Sequence, residues 1–388
     1  MLRVLTLSTL FPDATRPNFG VFVERQTAAL AALPGVAVTM VAPIGMPPWP
    51  LSRGDRHAAL GRLPLRERWH GLDVYRPRFA ALPFTGGRFH ARAMERAIVP
   101  VLDALAFDVI DASFFFPDGV AAVRLGRRYG VPVSIKARGA DVHHWGRAPA
   151  TARQVAQAGQ GADGLLAVSA AMRGDMIALG MPADAIRVHR TGVDHARFGA
   201  VDRTAARAAL GVTGPLIVAV GALIPRKGHD VVIDAVARLP GVALWIAGEG
   251  PERGRFEAHI ARAGIGDRVQ LLGGVAHDDL PRLLAAADVM ALASASEGLA
   301  NAWVEALAAG TPIVVTDAGG ARELLSDEQA GRVVARDPAA FAAAIADLLR
   351  APPRTEAVKA AAAGYSWAAN AAGLHAHLAG LMAARQSG

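Results

Sequence analysis

Two carboxylates eight residues apart and a pair of adjacent cations are the side chains of this sequence whose types and spacing suit chemistry on a sugar phosphate. Glu297 and Glu305 lie in SASEGLANAWVEALAAGTPIVV, residues 294–315, and Arg226 and Lys227 lie in GALIPRKG, residues 221–228. An ionised carboxylate only accepts hydrogen bonds, so it suits sugar hydroxyls, which donate them. Were the segment between the two Glu fully helical, they would stand on the order of 12 Å apart. That leaves room for a diphosphate, with one Glu on a ribose and the other on a hexose.

Both groups fall where a strand hands over to a helix. Asp288–Leu292 and Pro312–Val315 read as short buried parallel strands. Asn301–Ala309 reads as a helix, ended by a left-handed Gly310. The elbow 294–298 therefore sits at the carboxyl end of a parallel strand, where open α/β sheets bind ligands. The backbone N–H groups of Gly298, Leu299 and Ala300 are expected among the unpaired donors of the first helical turn, which with the helix dipole suits a phosphate. A side chain at Gly298 would block that approach. Leu216–Val220 is likewise a strand that runs into 221–228, with a helix from about His229.

At 388 residues the chain predicts two domains. Cysteine is absent and 52% of residues are apolar, which fits a globular protein of a reducing cytoplasm. No uninterrupted apolar run is long enough to span a bilayer, and Leu2–Ser8 reads as a first strand rather than a signal peptide. Charge is uneven. Residues 1–190 carry 23 basic against 14 acidic residues, a net of +9, which leaves −2 for the rest. A basic surface attracts anionic lipid, nucleic acid or phosphorylated substrate, and charge alone does not choose.

Further strands are expected at 36–41, 73–76, 108–112, 132–136, 164–168 and 187–189, mostly separated by helical patterns, which is the alternation of a parallel α/β sheet. The loop 9–19 precedes a helix from about Gly20 to Leu33, with Asn18 placed to cap it. It lacks G-x-G-x-x-G, which weakens a dinucleotide-binding reading. From Pro43 to Arg68 the pattern dissolves, and a long surface excursion is expected. Arg53, Arg56, Arg62, Arg66 and Arg68 cluster there beside Trp49 and Trp69, on a candidate acceptor- or membrane-facing loop. His143-His144 predicts no metal site, because adjacent residues rarely point at one ion and no further ligand has metal-motif spacing.

The string from Glu297 to Val315 closely resembles the signature of the retaining family 4 glycosyltransferases, in which two Glu flank seven residues. Residues 221–228 resemble that family's phosphate clamp: Lys227 matches, Ala222 stands where an Arg is usual, and Arg226 is a candidate replacement. Thr191–Asp194 resembles its Asn-Gly-Val-Asp domain crossing. Lys136–His143 resembles its His-Gly-x-Asp segment with Arg138 in the His position, and Ser113 also stands where His is frequent. Phe19-Gly20 falls where a Gly pair is common, so Gly20 alone carries over.

The resemblance implies an α/β protein of GT-B architecture, with two facing Rossmann-like domains, parallel sheets and an interdomain cleft. Residues 1–190 would bind the acceptor, joined by a C-terminal helix at 365–388, and residues 191–364 would bind the donor. It implies retaining transfer from a UDP- or GDP-linked sugar to a hydroxyl of a carbohydrate or lipid-linked acceptor, and the absence of any D-x-D motif predicts that the transfer is metal-independent. Cell-surface polysaccharide or glycolipid biosynthesis is the expected setting, with no cofactor and no nucleic acid. The enzyme would be cytoplasmic, peripheral at the inner face of the membrane. Carried over by residue, Glu297, Lys227 and Arg226 would be catalytic. Gly20, Val275, Gly298, Leu299, Ala300, Asn301 and Glu305 would join them on the donor, while Arg138, Asp141 and His143 would face the acceptor. A sugar-nucleotide epimerase and a non-catalytic membrane-associated scaffold are the alternatives. The first would act without an acceptor, and the second would release no nucleotide.

Overall fold

The structure is a computed structural model that describes residues 1–326 and 328–386. The Arg56 side chain and the last two residues of the expected 365–388 helix lie outside the described residues. The chain forms two compact units: unit 1 is Met1–Gly192 with the segment from Trp367 onward, and unit 2 is Val193–Ser366. The chain crosses between them two residues beyond each boundary drawn from sequence.

Unit 1 contains β1 (Leu2–Leu7), β2 (Val36–Val41), β3 (Ile44–Met46), β4 (Arg66–Trp69) and β5 (Leu72–Tyr75). It continues with β6 (Arg78–Ala80), β7 (Val109–Ala112), β8 (Val133–Ala137), β9 (Gly164–Ala167) and β10 (Ile186–Val188). Eight of them form one sheet in the order β10-β9-β8-β7-β1-β2-β5-β4, parallel except for the edge strand β4. Both faces are covered by helices, so β7, β8 and β9 are buried along their whole length. The order reverses between β1 and β7, where Leu7 pairs with Ala112. The helix Trp367–Gln386 packs back here, and its Leu374 and Leu378 join Val4, Leu30, Val109 and Leu166 in one core cluster.

Unit 2 contains β11 (Leu216–Val220), β12 (Ala243–Ala247), β13 (Val269–Gly273), β14 (Val289–Leu292), β15 (Ile313–Thr316) and β16 (Gly331–Val334). They form one parallel sheet in the order β13-β12-β11-β14-β15-β16 around a core of Val, Ile, Leu and Phe. Here the order reverses between β11 and β14. That places the turn after β11, which carries Arg226 and Lys227, beside the elbow after β14, which carries Glu297. Ligands of doubly wound sheets bind at this kind of reversal.

Three expectations need correction. The stretch 43–68 is not an unpatterned excursion: β3 pairs in parallel with β6, the helix Asp55–Arg62 follows, and β4 closes the sheet edge. Only Ile44, Leu60 and Leu63 are buried in its small core, too few to show a period in the sequence. Asn18 does not cap the first helix, Val21–Ala31. Gly20 is its N-cap at φ 74°, and a Cβ there would lie 2.4 Å from the Leu10 carbonyl carbon. The helix after the elbow starts at Asn301, so Gly298, Leu299 and Ala300 precede its first turn, with Ala300 as an extended N-cap.

Candidate functional site

In unit 2 the clamp turn is a single 3-10 turn, Pro225–Lys227, closed by Gly228 at φ 66°. A Cβ on Gly228 would lie 2.0 Å from the Ala293 carbonyl oxygen, so glycine lets the turn press against the end of β14. The Ala295 N–H donates to the Arg226 carbonyl at 2.8 Å, and Arg336 Nε donates to the Ala293 carbonyl at 2.8 Å. The two loops are thus tied to each other by a backbone hydrogen bond, and the end of β14 is held by Arg336.

On that frame Lys227 Nζ stands 2.5 Å from Glu297 Oε1, and Arg226 Nη1 stands 3.3 Å from Oε2. Ser294 Oγ donates to Oε1 at 2.8 Å. Glu297 is 7% exposed. Burial pushes its carboxyl up, but Lys227 and Arg226 outweigh burial and hold it below the ordinary value. Two cations against one carboxylate leave a positive charge at the mouth of the sheet, aimed where the elbow also places Gly298. The Gly320 N–H donates to the Gly298 carbonyl at 2.8 Å, so the loop after β15 braces the elbow from its other side.

Glu305 does not join this cluster. Its Oε1 is 2.9 Å from His277 Nε2, and Arg197 Nη1 is 3.0 Å from His277 Nδ1. Because Arg197 can only donate, Nδ1 accepts and Nε2 carries the proton given to Glu305. Val275 lies in the same loop after β13 as His277. Asn301 opens the helix that carries Glu305. His229 fills the space beneath Ala222. It is buried, its Nε2 lies 3.2 Å from the carbonyls of Gly221 and Ala222, and burial lowers its pKa to about 4. Sequence reasoning missed His277, Arg197, His229 and Arg336, whose roles are tertiary contacts without a local pattern.

In unit 1 the residues named from sequence hold one another. Asp141 is fully buried, and its carboxylate accepts from the N–H groups of Gly139, Arg138 and Phe115 at 2.7, 3.0 and 3.2 Å. It organises the backbone after β8. Arg138 Nε donates to the Ser113 carbonyl at 2.8 Å and Nη2 to Gln26 Oε1 at 3.2 Å. Burial draws the Arg138 pKa down to about 10, against the pull of Asp111 and Asp141. His143 Nε2 is 2.8 Å from Asp175. Beneath them Lys136, fully buried, donates to Gln26 at 2.9 Å and to His189 Nδ1 at 2.7 Å. Gly20 stands apart from this network, at the entrance to the first helix.

The family model described as Glycosyl transferases group 1 matches residues 202–365, and that described as Glycosyltransferase Family 4 matches residues 20–197. The chain is 36% identical over 165 residues to the lipopolysaccharide core biosynthesis glycosyltransferase LpsE of Rhizobium meliloti, covering 42% of this chain and 47% of that protein. It is 34% identical over 240 residues to the GDP-mannose-dependent alpha-(1-6)-phosphatidylinositol monomannoside mannosyltransferase of Mycobacterium tuberculosis, covering 58% of this chain and 61% of that one. The chain thus matches about half the length of these curated relatives. Sucrose-phosphate synthase from Thermosynechococcus elongatus superposes with a TM-score of 0.85 at 20% identity, covering 99% of this chain and 100% of that one. Anabaena HepE, solved in complex with UDP-glucose, superposes with a TM-score of 0.75 at 20% identity and the same coverage. At this identity the likeness shows the fold, two Rossmann-like domains of the GT-B type. The two family models together take in nearly the whole chain, which belongs to the family 4 glycosyltransferases of group 1.

Proposed function

We propose that the protein is a retaining glycosyltransferase that moves a hexose from a UDP- or GDP-linked donor to an acceptor hydroxyl. The observation that carries this reading is the Arg226–Glu297–Lys227 cluster at the strand-order reversal of unit 2. As the glycosidic bond breaks, negative charge grows on the departing nucleoside diphosphate, and preorganised cations are worth most at that moment. Arg226 and Lys227 neutralise that charge in place of a metal ion. Glu297 keeps the two cations in register until a phosphate arrives, and then is free to accept from a hexose hydroxyl. Glu305, oriented by His277, accepts from the ribose hydroxyls. In this reading a phosphate oxygen of the leaving group takes the acceptor proton on the face from which it departs, as the family resemblance implies.

Unit 1 receives the acceptor in this reading. It holds a cavity of about 230 Å³ whose lining includes Thr9, Arg16, Phe19, His57, Phe79 and His90. Arg16 is gripped by Asp13 at 2.7 Å and lies 4.4 Å over Phe19, a mix of cation and ring that suits a sugar with an anionic group. The relatives named for lipopolysaccharide core and phosphatidylinositol mannoside favour a saccharide or glycolipid acceptor in cell-surface synthesis.

Docking to the inner face of the membrane belongs to the same proposal. No helix among the described residues is long and apolar enough to cross a membrane. Ala81 N–H donates to the Met46 carbonyl, so the segments leaving β3 and β6 emerge side by side. They expose Trp49 at 72%, Leu51 at 52% and Phe84 at 100%, with Arg53 stacked 5.1 Å from the Trp49 ring. Apolar tips next to guanidinium groups suit an anionic bilayer surface. Trp69, by contrast, is held by Glu24 at 2.7 Å.

The test is acceptor-dependent release of UDP or GDP, with the product's anomeric configuration read by proton NMR. An α-linked donor should yield an α-linked product. An inverted product, or conversion of the donor without acceptor, would replace this reading.

A further inference from the structure

Unit 1 carries, on the outer side of its helical layer, a groove that sugar transfer does not use. It lies between the helices Val120–Tyr129 and Ala152–Gly161 and encloses about 420 Å³, within the range of small-molecule sites. One helix lines it with Val120, Val123, Arg124 and Arg127, and the other with Gln154, Gln157, Ala158 and Gly161, joined by Gln160, whose amide nitrogen donates to the Gly180 carbonyl at 3.4 Å. The first set, and the second apart from Gln160, follow the i, i+3, i+4, i+7 stripe by which helices meet. Helix pairs usually close such a seam with apolar side chains. Here one stripe ends in guanidinium groups and the other is amide and small. A Cβ on Gly161 would lie 3.0 Å from Arg127 Nη2 and 3.2 Å from Val123 Cγ1, so the missing side chain makes room for the guanidinium.

The polar groups in the groove are only partly used. Arg124 is paired with Glu95 at 3.3 Å. Arg127 is exposed and has no acidic partner among the described residues. The Gln154 amide nitrogen donates to the carbonyls of Arg88 and Ala150 at 3.2 and 3.1 Å, which leaves its carbonyl oxygen as an acceptor. Gln157 makes no hydrogen bond among the described residues. The lining has neither a carboxylate, the strong acceptor for neutral sugar hydroxyls, nor an aromatic ring on which a sugar could stack. It has a guanidinium fork, which matches carboxylate or phosphate, and amides that both donate to and accept from hydroxyls.

We propose that this groove is a second saccharide site that takes an anionic glycan segment, with a carboxylate or phosphate on Arg127 and neighbouring hydroxyls on Gln154 and Gln157. Such a site would hold an acidic acceptor or product away from its reacting end and raise its effective concentration at the enzyme. The assignment rests on the groove and not on the donor chemistry of unit 2.

The test is calorimetric titration of the full chain with a galacturonic acid tetramer, with maltotetraose and inorganic phosphate as comparisons. The acidic tetramer should bind, and the neutral tetramer and phosphate should bind at least tenfold more weakly. Arg127→Ala should lower affinity for the acidic tetramer tenfold or more. Gly161→Leu, which fills the seam and keeps the charge, should do the same. Arg128→Ala removes the adjacent guanidinium, which lies over Tyr129 outside the groove, and should leave binding unchanged. Thermal midpoints near that of the parent show that the variants are folded. An equal loss in Arg128→Ala would reduce the effect to general charge, and phosphate binding as tight as the tetramer would reduce it to a bare anion contact. Either result overturns the proposal, as does equal binding of the neutral tetramer or no binding of the acidic one.

Discussion

Lys227 and Glu297, 70 residues apart in the chain, meet at 2.5 Å between Nζ and Oε1. The contact joins the loops that follow β11 and β14, at the point where the strand order of unit 2 reverses. In the proposed function Glu297 holds both cations until a diphosphate arrives, and then yields them and turns to the sugar.

The ion pair sets a dependence of stability on pH. Burial alone would raise the Glu297 carboxyl, but Lys227 and Arg226 bring it below its ordinary value, so folding favours the ionised form. A group depressed in the folded state stabilises above its unfolded pKa, and that stabilisation is lost as pH falls through the folded value. Glu297→Gln should therefore destabilise unit 2 by about 1–3 kcal/mol at neutral pH and by progressively less below the carboxylate range. Thermal unfolding from pH 7 down to pH ~3 reads this directly. A constant difference between parent and variant across that range contradicts the pairing.

In the proposed function, His277 acts on nucleotide binding through Glu305, which it contacts at 2.9 Å. Glu305→Gln and His277→Ala should each weaken nucleoside diphosphate binding on the order of tenfold. The double variant should be little worse than either, because residues in one hydrogen-bonded network couple by about 0.5–3 kcal/mol. Fully additive losses by calorimetry would mean that His277 does not orient the carboxylate.

Asp118 gives unit 1 the opposite pH response. It is fully buried, and burial raises its pKa from 3.8 to about 7, against hydrogen bonds from Thr9 and with a further push from Asp141. The folded chain then binds more protons than the unfolded one between those values, so stability falls as pH rises through that window. Asp118→Asn should flatten the slope between pH ~4 and ~7. Chemical denaturation at several pH values tests it, and an unchanged slope would show that Asp118 is ionised throughout.

The exposed tip of unit 1 predicts lipid binding with an apolar as well as an ionic part. The protein should pellet with anionic vesicles, and each basic side chain at the surface adds about 1 kcal/mol. A Trp49→Ser, Phe84→Ser double variant should stay in the supernatant at a salt concentration where the parent still pellets. Pelleting that depends on salt alone, equal in the two proteins, would assign the contact to Arg side chains only.

Local sequence made the strand ends of both units legible, because buried parallel strands are short apolar runs bounded by glycine and polar residues. The Glu297 elbow and the Lys227 turn were visible for the same reason, since each follows such a run directly. Residues 43–68 were not, because β4 is an edge strand with exposed Arg66 and Arg68, and the helix Asp55–Arg62 has little apolar surface to bury. The Asn18 cap failed because Gly20 already makes the left-handed turn that starts the helix. Nothing local marks His277 as the partner of Glu305, 28 residues away, or Asp141 as a brace for the backbone around it.

The central claim is that the cations after β11 hold a nucleoside diphosphate, and its most direct test is calorimetric titration of UDP and GDP into the parent protein and Lys227→Ala. The parent should bind at least one of them, and the variant should lose tenfold or more in affinity. Turnover in the variant should fall by roughly 10²–10³, the scale for one charge-stabilising donor. A folded Lys227→Ala that binds the nucleotide as tightly as the parent, or a parent that binds neither, would contradict it.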